Sequence, residues 1–180
     1  RQCEEIRFHA DVTFFIGENG SGKSTLLEAM AIAYGFNPEG GTKSAQFEVH
    51  NTHSELHKEI KLSKSFKMPG DAYFLRAESF YNVATKAEEF GVLKSYGGKS
   101  LHAQSHGEAF LATLMHKLTG NGLYLLDEPE AALSPARQLT ALSLIHQLVQ
   151  QDSQFIIATH SPIIMAYPNA TIYEFSKDGI

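Results

Sequence analysis

The run Gly17-Glu18-Asn19-Gly20-Ser21-Gly22-Lys23-Ser24-Thr25 satisfies the pattern G-x-x-x-x-G-K-[ST] at every fixed position, and it lies between an apolar run and a helix-like run. Few folds accommodate that order. Val12-Thr13-Phe14-Phe15-Ile16 reads as a buried strand, being short, apolar, β-branched and aromatic and stopping at a glycine. Leu26 to Ala33 reads as a helix. Strand, glycine loop and helix together make an anion site, because loop backbone N–H groups and a helix N-terminus converge there. The glycines let the backbone approach phosphate, Lys23 suits the β- and γ-phosphates of a nucleotide, and the Ser24 hydroxyl suits Mg²⁺. Glu18, Asn19, Ser21 and Thr25 complete the loop as expected nucleotide-contacting positions.

Bulk numbers narrow the class. At 180 residues the chain has the length of one domain, enough to bury about 70% of its unfolded surface. No apolar run approaches the roughly 18 residues of a membrane span. The net charge of −5 lends no support to a nucleic-acid partner, although a local basic patch stays compatible with it. The single cysteine, Cys3, excludes an internal disulfide and a cysteine-based zinc site, and no signal-peptide pattern is present, so a reducing cytoplasm is expected. The chain opens at Arg1 without methionine, which points to a missing upstream segment.

A second cluster of motifs lies in the last third. Gly122 to Glu128 is an apolar strand ending in two acids. An aspartate at such a strand end suits Mg²⁺, a hard cation that prefers oxygen ligands, so Asp127 is the metal candidate. Glu128, next in the chain, points differently and can polarise an attacking water as a general base. Ser134 then reads as an N-cap with Pro135 at the first helical position of a helix over 136–150. Gln154 to Ala158 is another buried strand, after which come Thr159, His160, Ser161 and Pro162. Ligands of open α/β sheets bind beyond the carboxyl ends of the strands, so Gly17, Asp127 and His160 are expected at one crevice, with His160 contacting the γ-phosphate.

With these motifs in this order the chain resembles the ATP-binding-cassette-type ATPases, and more narrowly the small stand-alone bacterial ATPases of the AAA class. The resemblance runs from about Ile6 to Phe175. Gly17–Thr25 matches Walker A, Leu123–Glu128 with Pro129 matches Walker B and its glutamate, Ala132-Leu133-Ser134-Pro135 matches the D-loop, and His160 matches the switch histidine. It implies an α/β fold: a mainly parallel sheet flanked by helices, one ATPase domain over 1–180, with an inserted lobe at roughly 36–101 between Walker A and the signature. It also implies a head-to-tail homodimer holding two ATP molecules between subunits.

Several positions depart from the family pattern. The signature L-S-G-G-Q is represented by Gln104-Ser105-His106-Gly107-Glu108, where His106 replaces the first glycine and Glu108 the glutamine. Carried over, Ser105 and Gly107 act in trans on ATP of the opposite subunit. The same residues form an S-x-x-E capping box ahead of Phe110, Leu111, Leu114, Met115 and Leu118 on one helix face. The Q-loop has no glutamine; the best strand there is 72–80, in which Glu78 is an additional metal candidate and Arg76 either touches phosphate or joins a salt bridge. Phe8 is the nearest upstream aromatic for stacking on adenine. His50, His53 and His57, with His102 and His106, could align as metal ligands, but no cysteine accompanies them and a solvated surface outweighs that reading.

The sequence thus points to Mg²⁺-dependent ATP hydrolysis by Lys23, Ser24, Asp127, Glu128 and His160, with ATP and Mg²⁺ as cofactors and an unidentified protein partner. A transporter motor subunit, a chromosome-associated or DNA-repair ATPase, and a nonenzymatic ATP-sensing switch are the alternatives. Too few residues separate Thr25 from Ser105 for the long coiled-coil arm of chromosome-maintenance ATPases.

Overall fold

Strands buried on both faces read as nearly continuous apolar runs, and four such runs make the centre of this molecule. The computed structural model describes residues 5–43, 54–176 and 179–180. In chain order the main elements are β1 (Val12–Gly17), α1 (Lys23–Tyr34), β2 (Gly41–Thr42), β3 (Asp71–Arg76), α2 (Phe80–Glu89), α3 (His106–Ala112), β4 (Gly122–Asp127), α4 (Pro135–Val149), β5 (Gln154–Ala158) and β6 (Thr171–Phe175). The strands form one six-stranded sheet in the order β2-β3-β4-β5-β1-β6. Every pairing is parallel except that of β2 with β3. The expected mainly parallel α/β sheet is therefore present.

Side chains alternate across the sheet and divide the core in two. Val12, Phe14, Tyr73, Leu75, Tyr124, Leu126, Phe155 and Ile157 point to the face covered by α2, α3 and α4. Phe15, Phe74, Leu125, Ile156 and Ala158 point to the other, which α1 covers with Leu27, Met30 and Ala31. Phe14, Phe110 and Phe155 are fully buried, and truncating any one to alanine costs about 3–5 kcal/mol.

Three local departures from expectation have physical reasons. The strand expected over 72–80 stops at Arg76, because Phe80, Val83, Ala84 and Ala87 recur at helical spacing and bury one face of α2. Strand β3 pairs with β4 along its length, so this part of segment 36–101 belongs to the central sheet. The helix expected to carry Phe110 through Leu118 passes into a π-helical turn over Thr113–Lys117. That wider turn keeps Leu114 and Leu118 buried but rotates Met115 outward. The Ser105–Glu108 capping box is present, whereas Ser134 occupies the N-cap position of α4 without a side-chain bond to it. Among the described residues no helix is long and apolar enough to cross a membrane.

Candidate functional site

Glycine chemistry shapes the loop after β1. Gly17 has φ 141°, and a Cβ there would lie 2.3 Å from the Phe175 carbonyl oxygen, so no other residue fits between the loop and β6. Gly22, at φ 97°, is the N-cap of α1 and has no side chain to offer, which leaves the first-turn amides of Lys23, Ser24 and Thr25 uncapped. Open space surrounds Gly20 and Gly22, and Glu18, Asn19 and Gly20 form the exposed tip. Lys23 is buried, its Nζ donating to the carbonyls of Gly17 and Glu18 at 2.8 Å each. Ser21 Oγ is buried and has no hydrogen-bond partner among the described residues. This is a preformed concentration of positive potential at a helix N-terminus.

The acids arrive from β4. Asp127 is buried, and that burial raises its carboxyl above the ordinary range, while the nearby Ser24 hydroxyl and the Arg76 charge pull it back down. Its Oδ1 is buried without a hydrogen-bond partner among the described residues. Glu128 turns out of the strand at φ 49°, ψ 53°, a left-handed conformation uncommon outside glycine, with its N–H bonded to Ala158 O at 2.9 Å. Ser24, Arg76, Glu78, His106, Asp127 and Glu128 all face one cleft of about 410 Å³. The candidate donors Ser24, Glu78 and Asp127 are all oxygen, and Asp127 Oδ1 is uncommitted among the described residues, which fits Mg²⁺.

Arg76 joins salt bridges rather than standing free. Its Nη1 lies 2.6 Å from Glu28 Oε2, its Nη2 3.4 Å from Glu78 Oε2, and its Nε 3.4 Å from Asp127 Oδ2. The last is an ionic contact only, since Arg76 Nε makes no hydrogen bond among the described residues. Glu78 is exposed at the mouth of the cleft, and Glu28 is the half-buried partner that motif reading missed.

His160 follows β5, which lies between β4 and β1, and thus stands at the same sheet edge, although it does not line the cleft. Its backbone N–H donates to Glu130 Oε1 at 2.7 Å and its Nδ1 lies 3.1 Å from the same oxygen. Glu130 was not singled out in the sequence, where it reads as a turn residue after the two acids.

The signature region is engaged within the chain. Ser105 Oγ donates to Glu108 Oε2 at 2.6 Å and accepts from Arg137 Nη1 at 3.1 Å. That hydroxyl bond holds the Glu108 carboxyl below its ordinary range. A Cβ on Gly107 would lie 2.7 Å from Ala132 O, so this glycine permits close packing of α3 on the turn after β4. His106, which the motif comparison treated as a substituted glycine, lines the cleft of its own chain and packs against Phe80 with ring centroids 5.7 Å apart.

The other residues singled out in the sequence lie away from this cleft or outside the described residues. Phe8 packs on Phe15 and lines a cavity of about 490 Å³ with Asp11, Gly122 and Gln154, at the N-terminal ends of the strands and away from the phosphate loop. His50 and His53 lie outside the described residues. His57 contacts Ser54 O at 3.0 Å and His102 contacts Thr85 Oγ1 at 3.0 Å. Among the described residues no three His, Cys, Asp or Glu side chains cluster as a metal site.

Comparison with known proteins agrees with this geometry. An AAA-domain family model matches residues 2–100, and a second AAA-domain model, whose description also names the AbiEii toxin of type IV toxin–antitoxin systems, matches residues 103–166. The hemin import ATP-binding protein HmuV of Aliivibrio fischeri is 24% identical, over 83% of this chain and 64% of the relative. The DNA double-strand break repair Rad50 ATPase of Methanococcus maripaludis is 30% identical over 57% of this chain, a match spanning 9% of that protein. The SMC head domain from Thermotoga maritima superposes with a TM-score of 0.50 at 16% identity, covering 94% of this chain and 87% of that one, which shows a shared fold. The chain belongs to the AAA-domain family, and its sequence is similar to those of ATP-binding-cassette ATP-binding proteins.

Proposed function

We propose that this chain binds ATP with Mg²⁺ in the cleft between the phosphate loop and the end of β4 and hydrolyses it to ADP and phosphate. One observation carries the reading: Ser24, at the uncapped start of α1, and the buried Asp127 line one cleft, and Asp127 Oδ1 has no hydrogen-bond partner among the described residues. Two hard oxygen donors from different motifs thus meet beside the site's positive potential.

The residues divide the work. The loop amides and Lys23 hold the phosphates, Lys23 having one N–H left after its two carbonyl bonds. Ser24 and Asp127 would hold Mg²⁺, with Glu78 at the cleft mouth a further oxygen donor and water and phosphate completing the shell. Held there, Mg²⁺ would supply positive charge against that of the nucleotide phosphates. Glu128 orients the water and accepts its proton as the water oxygen bonds to the γ-phosphorus and the bond to the bridging oxygen breaks. His160 contacts the γ-phosphate. Such positioning and charge stabilisation supply most of the acceleration in phosphoryl transfer.

The active form in this reading is a homodimer in which Ser105 and Gly107 of one subunit meet ATP held by the other, and the cycle drives a switch in a protein partner. The relatives include an import ATPase and a DNA-repair ATPase, and this chain spans under two thirds of either. Phosphate release with ATP and Mg²⁺ should be measurable and should vanish in Lys23→Ala. Tight ATP binding with no turnover above background would favour a nonenzymatic sensor. Glu128→Gln should elute as a dimer with ATP on sizing chromatography; a monomer at saturating ATP would sink the in-trans role of Ser105.

A further inference from the structure

We infer that Arg76 is a specificity-determining residue that sets the cleft's choice between a bare divalent cation and a cation–nucleotide complex: its fixed charge opposes the first and favours the second. The inference rests on the metal role proposed for Asp127. Of the described residues lining the cleft, Glu78, Asp127 and Glu128 are carboxylates, and Arg76 alone carries a fixed positive charge. Three carboxylates with no cation among them would draw in a divalent ion and repel an anionic nucleotide.

The guanidinium is built into the site. The Arg76 side chain is 16% exposed, against 13% for Glu28 and 7% for Asp127, so solvent screens these charges little. Its Nη1 donates to Glu28 Oε2 at 2.6 Å and to the Pro38 carbonyl at 3.3 Å, and its Nη2 donates to Glu78 Oε2 at 3.4 Å. Glu28 follows Ser24 by four residues on α1 and so lies one turn along the same face. The helix that starts at the phosphate loop thereby holds the guanidinium against the end of β4. Arg76 Nε is 3.4 Å from Asp127 Oδ2 and makes no hydrogen bond among the described residues, so Asp127 meets Arg76 as a charge. Asp127 Oδ1 stays uncommitted.

Such a charge discriminates by sign. The guanidinium repels a divalent cation at Asp127, whichever carboxylate oxygen is used. ATP carrying Mg²⁺ keeps a net negative charge, and the same guanidinium attracts it. Specificity is the difference between two affinities, and here both terms move it the same way. Ser24 and Asp127 are thus reserved for metal that arrives with nucleotide. A purely structural Arg76 predicts the reverse for the bare ion, because its loss would disorder Asp127 and weaken the binding of both.

The test uses the full chain and Mn²⁺, with free ion counted by its paramagnetic resonance signal and ions held elsewhere corrected for with Asp127→Asn. Nucleotide is tested as the non-hydrolysable analogue AMP-PNP in saturating Mg²⁺, by calorimetry. Arg76→Gln should bind Mn²⁺ alone about tenfold or more tightly than wild type, the scale Coulomb's law sets for a unit charge a few ångströms from a divalent one. The same variant should bind AMP-PNP with Mg²⁺ about threefold or more weakly. An Mn²⁺ affinity that stays the same or falls overturns the inference, and so does a nucleotide affinity that stays the same or rises. Should Arg76→Gln not fold, Glu28→Gln, which leaves the guanidinium an amide oxygen but one fewer counter-charge, should shift both affinities the opposite way. No shift, or a shift in the other sense, overturns the inference. Were Asp127→Asn to bind Mn²⁺ with AMP-PNP as tightly as wild type, the metal role of Asp127 would itself fall, and the inference with it.

Discussion

Arg76 and Asp127 are register partners in the β3–β4 ladder, with Arg76 Nε 3.4 Å from Asp127 Oδ2. The same guanidinium holds Glu28 of α1 at 2.6 Å, so one largely buried cation balances carboxylates from two elements. Arg76→Ala strands both and is expected to cost about 3–5 kcal/mol. Urea unfolding at unchanged slope measures this. A loss under about 1 kcal/mol, the scale of an exposed pair, would mean that solvent already screens the cluster.

Asp127 predicts a pH dependence. Burial raises its carboxyl above the ordinary range. The folded chain therefore keeps this proton more tightly than the unfolded chain, whose aspartate titrates at about 3.9. The contribution to stability is full below that unfolded value and is lost as pH rises through the raised folded one. Asp127→Asn removes the titration while Arg76 keeps Glu28. In metal-free buffer the stability of the variant relative to wild type should grow from acid to neutral pH, although its turnover is lost. Thermal unfolding of both proteins across that range checks it, and a pH-independent difference would refute it.

Gly17→Ala should cost about 2–3 kcal/mol, since it adds an overpacked methyl to a positive-φ position. The new Cβ would lie 2.3 Å from Phe175 O, so the damage should appear first at β6. Hydrogen exchange is the measurement: amides of 171–175 should lose protection before those of β4.

Ser105 separates two roles by substitution. Ser105→Ala removes the cap of α3 and should cost about 1 kcal/mol, which Ser105→Asn, an N-cap whose amide can still donate to Glu108, should recover. A carboxylate at a γ-phosphate contact is repelled, so Ser105→Asp should fail to dimerise when combined with Glu128→Gln and ATP. Dimerisation of that double variant would remove Ser105 from the trans site.

Much of the site was legible because its strands are buried on both faces, so Val12–Gly17, Gly122–Asp127 and Gln154–Ala158 read as apolar runs ending in polar residues. Helix α2 was obscured because two of its four buried positions are alanines, whose small side chains weaken the periodic signal. The two residues of β2 are too few for any pattern, and β6 lies at the sheet edge with Ile172 exposed. The pairing of Glu130 with His160 had no local signal. It arises because the sheet sets β5 beside β4, a relationship between segments 30 residues apart.

The sheet order also dictates when the nucleotide loop can become competent. Of the six described strands β1 is made before the others, but its two neighbours are β5 and β6, the last two of the six in chain order. Until then the loop's first glycine has no Phe175 to pack against and β1 has no ladder. Such long-range pairing is slow to close, because loop entropy is lost before contacts compensate. Nascent chains ending before Thr171 thus present the whole Walker A sequence without the scaffold that gives it shape, so occupancy by nucleotide reports that β5 and β6 have been made.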